Sequence, residues 1–436
     1  MGKQERLSNE MLRELSSELR VVDRRLGEKR GAFGIEARAV ERAREIERAM
    51  IEAEIRGHDR GYEGNTRRCP RCGKETQRYK GDAERSVEFE CGEIRFVRSY
   101  YVCCECGASS YPLDEELGLV SGRVQGQLRE KLSMLAVMAP YHQAPQVCKT
   151  MFGTERHAAS MRRSLLKEAE RYEQKEDTLR TKSVETAGET VYIQIDGHMC
   201  PTREARKTPE DQGFREAKAV LAYRSADVAQ VTTKRKEILS KILKAKITTA
   251  EEFRTIVDKV YDQANADQAQ TVVILGDGAK WIWNIAEDVA PEAIQILDFA
   301  HAKQYLYEYA NIRFTSESAR VVPWVKEQES RLCNDQVQDV ISEMKLYADL
   351  DQRLQKIYSY YENNAQRMLY GTYRAKGLTI GSGAIESAGK QLSASRVKGA
   401  GMRWNVVDVN PLIAMRAAFL DGTWSAYWRS EELLAA

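Results

Sequence analysis

Two pairs of cysteines constrain the first part of this chain more strongly than any other feature. The motifs CPRCG and CCECG contain Cys69 with Cys72 and Cys103 with Cys106. Four thiolates in two such pairs are typical ligands of a tetrahedral Zn²⁺ ion. The glycine after each second cysteine allows a tight turn whose N–H groups can point at sulfur. We therefore predict a zinc ribbon over residues 63–118, in which four protein ligands close the site around one structural Zn²⁺ ion.

The other cysteines leave alternatives open. Cys104 adjoins Cys103 and could replace it as a ligand, although only Cys103 keeps the CxxC spacing. The four knuckle thiols could also be reduced buried side chains or a redox pair. The remaining cysteines are interpreted as structural, and they are Cys91, Cys148, Cys200 and Cys333.

Bulk composition excludes some classes of protein. The chain has 436 residues, enough for two or more domains. Its 67 basic and 65 acidic residues nearly cancel, so any nucleic-acid surface must be local. No run of about eighteen apolar residues appears, so we expect no membrane span. The first residues lack the apolar core of a signal peptide, and the odd cysteine count favours a reducing setting, so we expect a cytoplasmic protein.

Helical patterns precede and follow the cysteine-rich segment. Residues 1–62 are dense in Arg and Glu, and a Gly-Ala-Phe-Gly break at 31–34 predicts two helices. This segment is either a solvated arm or coiled coil, or a direct DNA contact. Residues 119–180 predict three short helices, which are either a plain bundle or a helix-turn-helix. In the second case Arg162 and Arg163 would lie on the DNA-reading helix.

From residue 188 onward, strand and helix patterns alternate. TVYIQID predicts a buried strand ending at Asp196, followed by strand candidates EAKAVLAYRS and AQVTTKR. AEEFRTIVDKVYDQA is an amphipathic helix pattern. TVVILGD and AIQILD predict buried strands ending at Asp277 and Asp298, and a mostly helical segment follows over about 302–370. Because several strands precede the first helix, we predict an α/β domain with a mixed sheet.

Three carboxylates in this region are candidate metal ligands. Asp196 and Asp277 each follow a buried strand and precede glycine, and Glu386 follows the glycine-rich sequence GSGAIES. Two strand-end aspartates and one helical glutamate could hold two Mg²⁺ ions about 4 Å apart for attack on a phosphodiester. Taken singly, each aspartate is equally explained as a turn or helix-capping residue. Glu386 could instead be a solvated residue paired with Lys390.

Several motifs of this chain resemble those of a known family. Its motifs YPLDEELGL, DGHMCPT, ILGDGAKWIWN, IQILDFAHAKQYLY, YRAKGLTIGSGAIES and GMRWN, in this order after the zinc knuckles, are similar to those of ISKra-type insertion-sequence transposases. These are DDE transposases with a ribonuclease-H-like catalytic fold. The resemblance covers residues from about 60 to the end. It implies Asp196, Asp277 and Glu386 as the catalytic residues, with two Mg²⁺ (or Mn²⁺) ions.

The resemblance also assigns supporting residues. LDFAH fits a family pattern that implies that Asp298 and His301 lie near the active site and help position metal or DNA. His301 could equally be a helix-start residue with a local hydrogen bond. The segment SASRVKGAGMRWN contributes candidate DNA contacts. Its basic residues would pair with phosphates and its tryptophan could stack on a base or lie in the core. These candidates are Arg396, Lys398, Arg403 and Trp404.

The resemblance implies a domain organisation around a divided catalytic domain. The segments are a helical arm (1–62), a zinc ribbon (63–118), a helix-turn-helix-like module (119–180), the first catalytic part (185–301), a helical insertion (302–377) and the last catalytic part with the glutamate helix (378–436). We expect a homo-oligomer that binds terminal inverted repeats and target DNA, cuts the element ends and joins them to the target. The alternatives are a nuclease that does not join, and a domesticated, non-catalytic zinc-ribbon DNA-binding protein.

Overall fold

The structure is a computed structural model that describes residues 31–153, 155–179, 186–204, 211–233 and 235–434. Contacts within the chain define two compact units. One unit comprises Met1–Glu168 with Trp428–Ala436, and the other comprises Ala169–Tyr427.

The first unit begins with a long helix, α1 (Gly31–Gly57). The expected break at residues 31–34 is therefore the first turn of this helix, and the pattern before it lies outside the described residues. An antiparallel sheet follows in the order β1-β2-β3-β4. Its strands are β1 (Thr66–Arg67), β2 (Gln77–Phe89), β3 (Gly92–Cys103) and β4 (Ser109–Ser110). The C-terminal part of α1 packs on this sheet through a small core of Ile55, Val87 and Ile94.

Helices follow the small sheet, as the sequence pattern predicts. They are α2 (Pro112–Glu116), α3 (Gly126–Met138), α4 (Ala144–Phe152) and α5 (Ala158–Leu179). The last three share one apolar core made by Leu128, Leu132, Ala144, Cys148 and Met161. Burial of Cys148 in this core agrees with its interpretation as a structural cysteine.

A five-stranded sheet organises the second unit, in the order β11-β10-β5-β6-β9. Its strands are β5 (Thr190–Pro201), β6 (Phe214–Arg224), β9 (Ile242–Ile247), β10 (Thr271–Gly276) and β11 (Ile294–Leu297). β5, β6 and β9 form an antiparallel meander. β10 and β11 run parallel to β5. The predicted mixed α/β sheet is confirmed.

One predicted strand lies outside this sheet. The first residues of AQVTTKR lie in β7 (Val228–Thr232), which pairs only with β8 (Arg235–Ile238) in a separate hairpin among the described residues. The third strand of the main sheet is instead β9, whose sequence ILKAKI alternates apolar and basic residues. Side chains from a later helix cover this edge strand: Asn410 bonds both backbone groups of Ile247, and Asp421 accepts from the Leu243 amide. Satisfying these groups protects the edge from pairing with other strands.

The other helices of the second unit lie between and after the strands. They are α6 (Ala250–Gln263), α7 (Lys280–Val289), α8 (Phe299–Arg313), α9 (Val321–Cys333), α10 (Val337–Ala348), α11 (Gln352–Asn364), α12 (Tyr370–Ala375), α13 (Gly383–Gly389), α14 (Val406–Asp421) and α15 (Thr423–Leu434), the last of which continues into the first unit. A π-helical turn, Lys390–Ala394, follows α13. The helical segment predicted over about 302–370 thus comprises α8 to α11 and the start of α12.

Candidate functional site

The four knuckle cysteines form one cluster. Their sulfur atoms all lie within 4.8 Å of one another, and the Sγ–Sγ distances are 3.7 Å for Cys69–Cys106 and for Cys72–Cys103. A tetrahedral Zn²⁺ ion with bonds of about 2.3 Å to sulfur requires sulfurs about 3.8 Å apart. The cluster therefore has the dimensions of a closed Cys₄ zinc site.

The two knuckles have the same backbone geometry. The amide of Gly73 donates to the Cys69 carbonyl and that of Gly107 to the Cys103 carbonyl, at 2.9 and 3.1 Å. Both glycines have a positive φ, 73° and 67°, a conformation that glycine adopts without steric cost. The matching geometry explains why both motifs carry glycine directly after the second cysteine.

Hydrogen bonds to the sulfur of Cys103 lower the pKa of its thiol. Bonds from the Cys106 amide and then from the Thr76 hydroxyl lower the pKa of the Cys103 thiol to about 6. A lowered pKa favours the thiolate, which is the form that binds metal. Cys104 is exposed, and the cluster contains Cys103 in its place. Of the two neighbouring cysteines, Cys103 is the one that lies in the cluster.

The second candidate site lies at the main sheet, around Asp196 and Asp277. β5 does not end at Asp196 as predicted but continues to Pro201 against β6. β10 does end at Gly276, and its register with β5 pairs Leu275 with Gln194. Asp196 lies two residues after Gln194 on β5, and Asp277 is the first residue after β10. Asp196 thus lies where its neighbouring strand stops.

Burial and neighbouring charges act on Asp196. Its side chain is 14% exposed, and burial raises the pKa of its carboxyl group. The charge of Asp277 raises this pKa further, whereas His198 and His301 lower it. Asp277 accepts a hydrogen bond from the Ala279 amide at 2.9 Å, which folds its turn back towards the sheet. Two carboxylates close enough to influence each other form an electronegative site that suits a cation.

Asp298 is bound on both of its oxygens. Oδ1 accepts from the amide and the Nδ1 of His301, at 2.7 and 3.1 Å. Oδ2 accepts from the amide and the hydroxyl of Ser382, at 2.5 and 2.8 Å. Burial raises the pKa of Asp298, but these hydrogen bonds outweigh it and hold the pKa at about 2. Asp298 therefore links the start of α8 to the loop that precedes α13.

His301 makes a local contact at the start of a helix, and its imidazole also responds to the charges of Asp196 and Asp277. It lies in the first turn of α8, where Asp298 is the N-cap residue and bonds its amide, so it makes the expected local contact. The hydrogen bond to Asp298 raises the pKa of the His301 imidazole. The charges of Asp277 and Asp196 also raise this pKa, so His301 lies within electrostatic reach of both carboxylates.

Glu386 lies on α13, which packs against β5. Its Oε1 forms an ion pair with Nζ of Lys390 at 2.6 Å, and the two side chains are 50% and 70% exposed. Among the described residues, the four cysteines form the group of at least three potential metal ligands whose ligand atoms all lie within 4.8 Å of one another. Glu386 thus does not close onto Asp196 and Asp277 as one compact cluster in this structure.

Two residues near these carboxylates were not singled out from the sequence. His198, two residues after Asp196, lies with its Nδ1 3.6 Å from the Asp196 carboxylate. Its ring fills the space beside Gly389, where an added Cβ would be 1.6 Å from Nε2. Burial lowers the pKa of His198, which favours the neutral imidazole. Gln194 lies two residues before Asp196 and is 1% exposed. The period-two spacing along β5 was the available signal for both residues.

The structure corrects two of the four candidate DNA contacts near the end of the chain. Arg396 is 1% exposed and its guanidinium lies 5.2 Å from the Trp404 ring centre. Trp404 is itself buried and donates its indole N–H to the Val397 carbonyl. Neither can meet a phosphate or an unpaired base, because core packing encloses both. Lys398 and Arg403 are exposed, so they remain candidates for phosphate contact.

The candidate contacts on the earlier helices are both on α5. Arg163 is exposed and Arg162 is partly exposed. Their neighbours Met161 and Leu165 are buried. Arg163 thus lies on the side of α5 away from its buried residues and Arg162 at the edge of the buried face, and both remain candidates for DNA contact.

The oxygen donors at the main sheet fit Mg²⁺. Carboxylates are the ligands that this hard cation prefers. Asp277 lies within electrostatic reach of Asp196, because its charge adds to the effect of burial in raising the pKa of the Asp196 carboxyl group. The described part of the chain contains no helix that is both long and apolar enough to cross a membrane.

Comparisons with known proteins complete this description. Residues 33–432 match the family described as "Uncharacterised protein family (UPF0236)". A search of the curated proteins found no match. Among solved structures, the "Drosophila P element transposase strand transfer complex" is similar with a TM-score of 0.26 and 9% identity, over 69% of this chain and 80% of that chain.

Proposed function

Since the chain belongs to the uncharacterised protein family UPF0236, we propose its function from its own residues: it is a DDE-type DNA transposase similar to the ISKra type. The observation that carries the proposal is the placement of Asp196 on β5 and of Asp277 directly after the neighbouring strand β10, where the charge of Asp277 acts on the buried Asp196 carboxyl group. The α13 helix with Glu386 packs on the same strand, β5.

The sheet topology supports a ribonuclease-H-like catalytic domain. An antiparallel meander of three strands is followed by two strands parallel to the first, giving the order β9-β6-β5-β10-β11. The candidate aspartates lie on or directly after the two central neighbours, β5 and β10. Ligands of sheets with parallel strands commonly bind outside the carboxyl ends of those strands.

In the proposed mechanism, Asp196 and Asp277 would hold a Mg²⁺ ion, and Glu386 would complete the site for a second ion. Such ions, when bound, stabilise the attacking and leaving oxygens of an in-line displacement at a phosphodiester. Glu386 would exchange its ion pair with Lys390 for this role. Asp298 holds the loop before α13 through Ser382, and neutral His198 fills the space between β5 and α13. Lys398 and Arg403 would contact phosphates.

The proposed reaction has two phosphodiester steps. Water first attacks at the end of the element, and the freed 3′-OH then attacks the target DNA. We propose that the zinc ribbon and helices α3 to α5 bind the terminal repeats. Because two ends are joined, a homo-oligomer is expected.

A second candidate function is favoured by the ion pair of Glu386. Because Glu386 pairs with Lys390 rather than with the two aspartates, a DNA-binding protein that keeps the transposase fold without its chemistry also accounts for this site. The Glu386→Gln substitution distinguishes the two functions, since only a catalytic role makes the charge of Glu386 necessary for cleavage.

The test uses the full-length protein and labelled DNA that carries the sequences flanking its gene, in Mg²⁺. We expect Asp196→Asn, Asp277→Asn and Glu386→Gln each to abolish cleavage while DNA binding persists, because phosphate contacts come from basic residues. The matched control is Glu327→Gln. Glu327 also pairs with a basic residue four positions later, Arg331, at 2.6 Å and is 57% exposed. Cleavage by Glu386→Gln at the rate of the control would refute the catalytic assignment.

A further inference from the structure

The start of α13 lacks an ordinary N-terminal cap. The N-cap residue is Ser382, a residue type that normally accepts a hydrogen bond from an amide in the first turn. Here the Ser382 hydroxyl donates to Asp298 instead, at 2.8 Å. An amide in the first turn of a helix has no carbonyl partner within the helix, so it needs an acceptor from elsewhere.

Gln194 supplies that acceptor from the main sheet. Its Oε1 accepts from the amide of Ile385, the residue before Glu386, at 3.0 Å. Its Nε2 donates to the Tyr223 hydroxyl at 3.3 Å and to the Gly381 carbonyl at 3.5 Å. The side chain is 1% exposed, so water cannot take over these contacts. Gln194 therefore holds the loop and the first turn of α13 on either side of Ser382.

Gln194 lies on the same strand, β5, as the candidate metal ligand Asp196. Gln194 and Asp196 are two residues apart on one strand, so their side chains lie on the same face of the sheet. Through the Gln194 side chain, the strand that carries Asp196 is therefore hydrogen-bonded to Ile385, the residue before Glu386. The contact fixes how far the backbone of Glu386 lies from Asp196.

We propose that Gln194 is a positioning residue that sets the separation of Glu386 from Asp196 and so tunes the affinity of their shared metal site. This inference rests on the proposed function. Gln194 touches neither DNA nor metal in this role, because its amide is committed to Ile385, Gly381 and Tyr223. Its loss should change the metal requirement and the local stability of α13 rather than remove cleavage altogether.

The test compares Gln194→Leu with Gln328→Leu in the full-length protein. Gln328 is also fully buried in the second unit and makes two side-chain hydrogen bonds, to Glu343 and from Arg331, far along the chain from α13. We expect Gln194→Leu to speed amide hydrogen exchange over residues 382–389 at least tenfold. We also expect it to raise the Mg²⁺ concentration for half-maximal cleavage at least fivefold. Gln328→Leu should change neither quantity.

Gln194→Glu tests the acceptor role alone, because a carboxylate can still accept from the Ile385 amide but cannot donate to Gly381 or Tyr223. The Ile385 amide should exchange more slowly in this protein than in Gln194→Leu. If Gln194→Leu does not fold, Gln194→Ala, which removes the same hydrogen bonds, takes its place in both measurements.

Equal exchange rates and equal Mg²⁺ requirements in the Gln194→Leu and Gln328→Leu proteins would overturn the proposal. Exchange of the Ile385 amide as fast in Gln194→Glu as in Gln194→Leu would overturn the acceptor role. The failure of the proposed function has a different signature: Glu386→Gln would then cleave as the wild type does, or the wild type would not cleave. In either case no metal site remains for Gln194 to tune, although the exchange data would still report on its contact with α13.

Discussion

The hydroxyl of Tyr360 donates a hydrogen bond to the backbone carbonyl of Asp277 over 2.8 Å. Tyr360 lies on α11, and its ring also covers Gly278, where an added Cβ would be 2.5 Å from the ring carbon Cε2. A neighbouring ring, that of Tyr305 on α8, lies against it at a centroid distance of 4.2 Å and an interplanar angle of 39°. Helices from the long helical segment thus shape the turn that carries the second candidate carboxylate.

We predict that Gly278→Ala destabilises the protein more than Gly377→Ala does. Both glycines have a positive φ, 98° and 73°, so alanine strains the backbone at each by about 1 kcal/mol. Only at Gly278 does the new methyl group also collide, with Tyr360. The free energy of unfolding should therefore fall by roughly 2–4 kcal/mol for Gly278→Ala. Equal losses in chemical denaturation would show that Tyr360 does not confine this turn.

We predict that the protein binds one zinc ion per chain and that Cys69→Ser abolishes this binding. Cys69 contributes one of four sulfurs of a closed cluster, and such sites supply roughly 10–16 kcal/mol of apparent folding free energy. Metal analysis of protein purified without chelator measures the content. Cys104→Ser is the control, because its exposed thiol lies outside the cluster. Loss of zinc from the Cys104 variant, with zinc retained in Cys103→Ser, would contradict the ligand assignment.

We predict that Asp298 makes stability depend on pH in the acid range. A pKa of about 2 in the folded protein, against about 3.9 in the unfolded chain, means that the contribution is present above about pH 4. It is lost as the pH falls through about 2, and its full size is roughly 2 kcal/mol. The free energy of unfolding of Asp298→Asn should therefore change less than that of the wild type between pH 4 and 2. Parallel curves would refute the role of Asp298.

We predict opposite outcomes for two neighbouring basic residues. Lys398→Ala should change the free energy of unfolding by no more than about 0.5 kcal/mol. It should also reduce the slope of the logarithm of the DNA-binding constant against the logarithm of salt concentration by about one. We expect the same two results for Arg403→Ala. Arg396→Ala should instead lower the free energy of unfolding by about 2 kcal/mol or more, since the buried guanidinium packs near the Trp404 ring. Denaturation and binding titrations at several salt concentrations measure both effects. A loss of stability well above about 0.5 kcal/mol in Lys398→Ala would contradict the interpretation of Lys398 as an exposed residue available to DNA.

Elements with strong local signals could be predicted from the sequence alone. The zinc knuckles could be assigned because the spacing CxxCG places two sulfurs within one turn, whatever surrounds them. The strands that precede Asp277 and Asp298 could be assigned because buried strands are runs of apolar residues bounded by turns. The alternation of strands and helices predicted a mixed sheet, which the structure confirms.

Which distant residues contact each other became known from the folded structure. Arg396 and Lys398 are two basic residues in one loop, and nothing local indicates that packing buries one and exposes the other. The contact of Gln194 with Ile385 joins positions 191 residues apart, and that of Tyr360 with Asp277 joins positions 83 apart. Such contacts depend on the order of strands and the docking of helices. Local sequence patterns carry no information about them, because burial and hydrogen-bond partners are properties of the assembled chain.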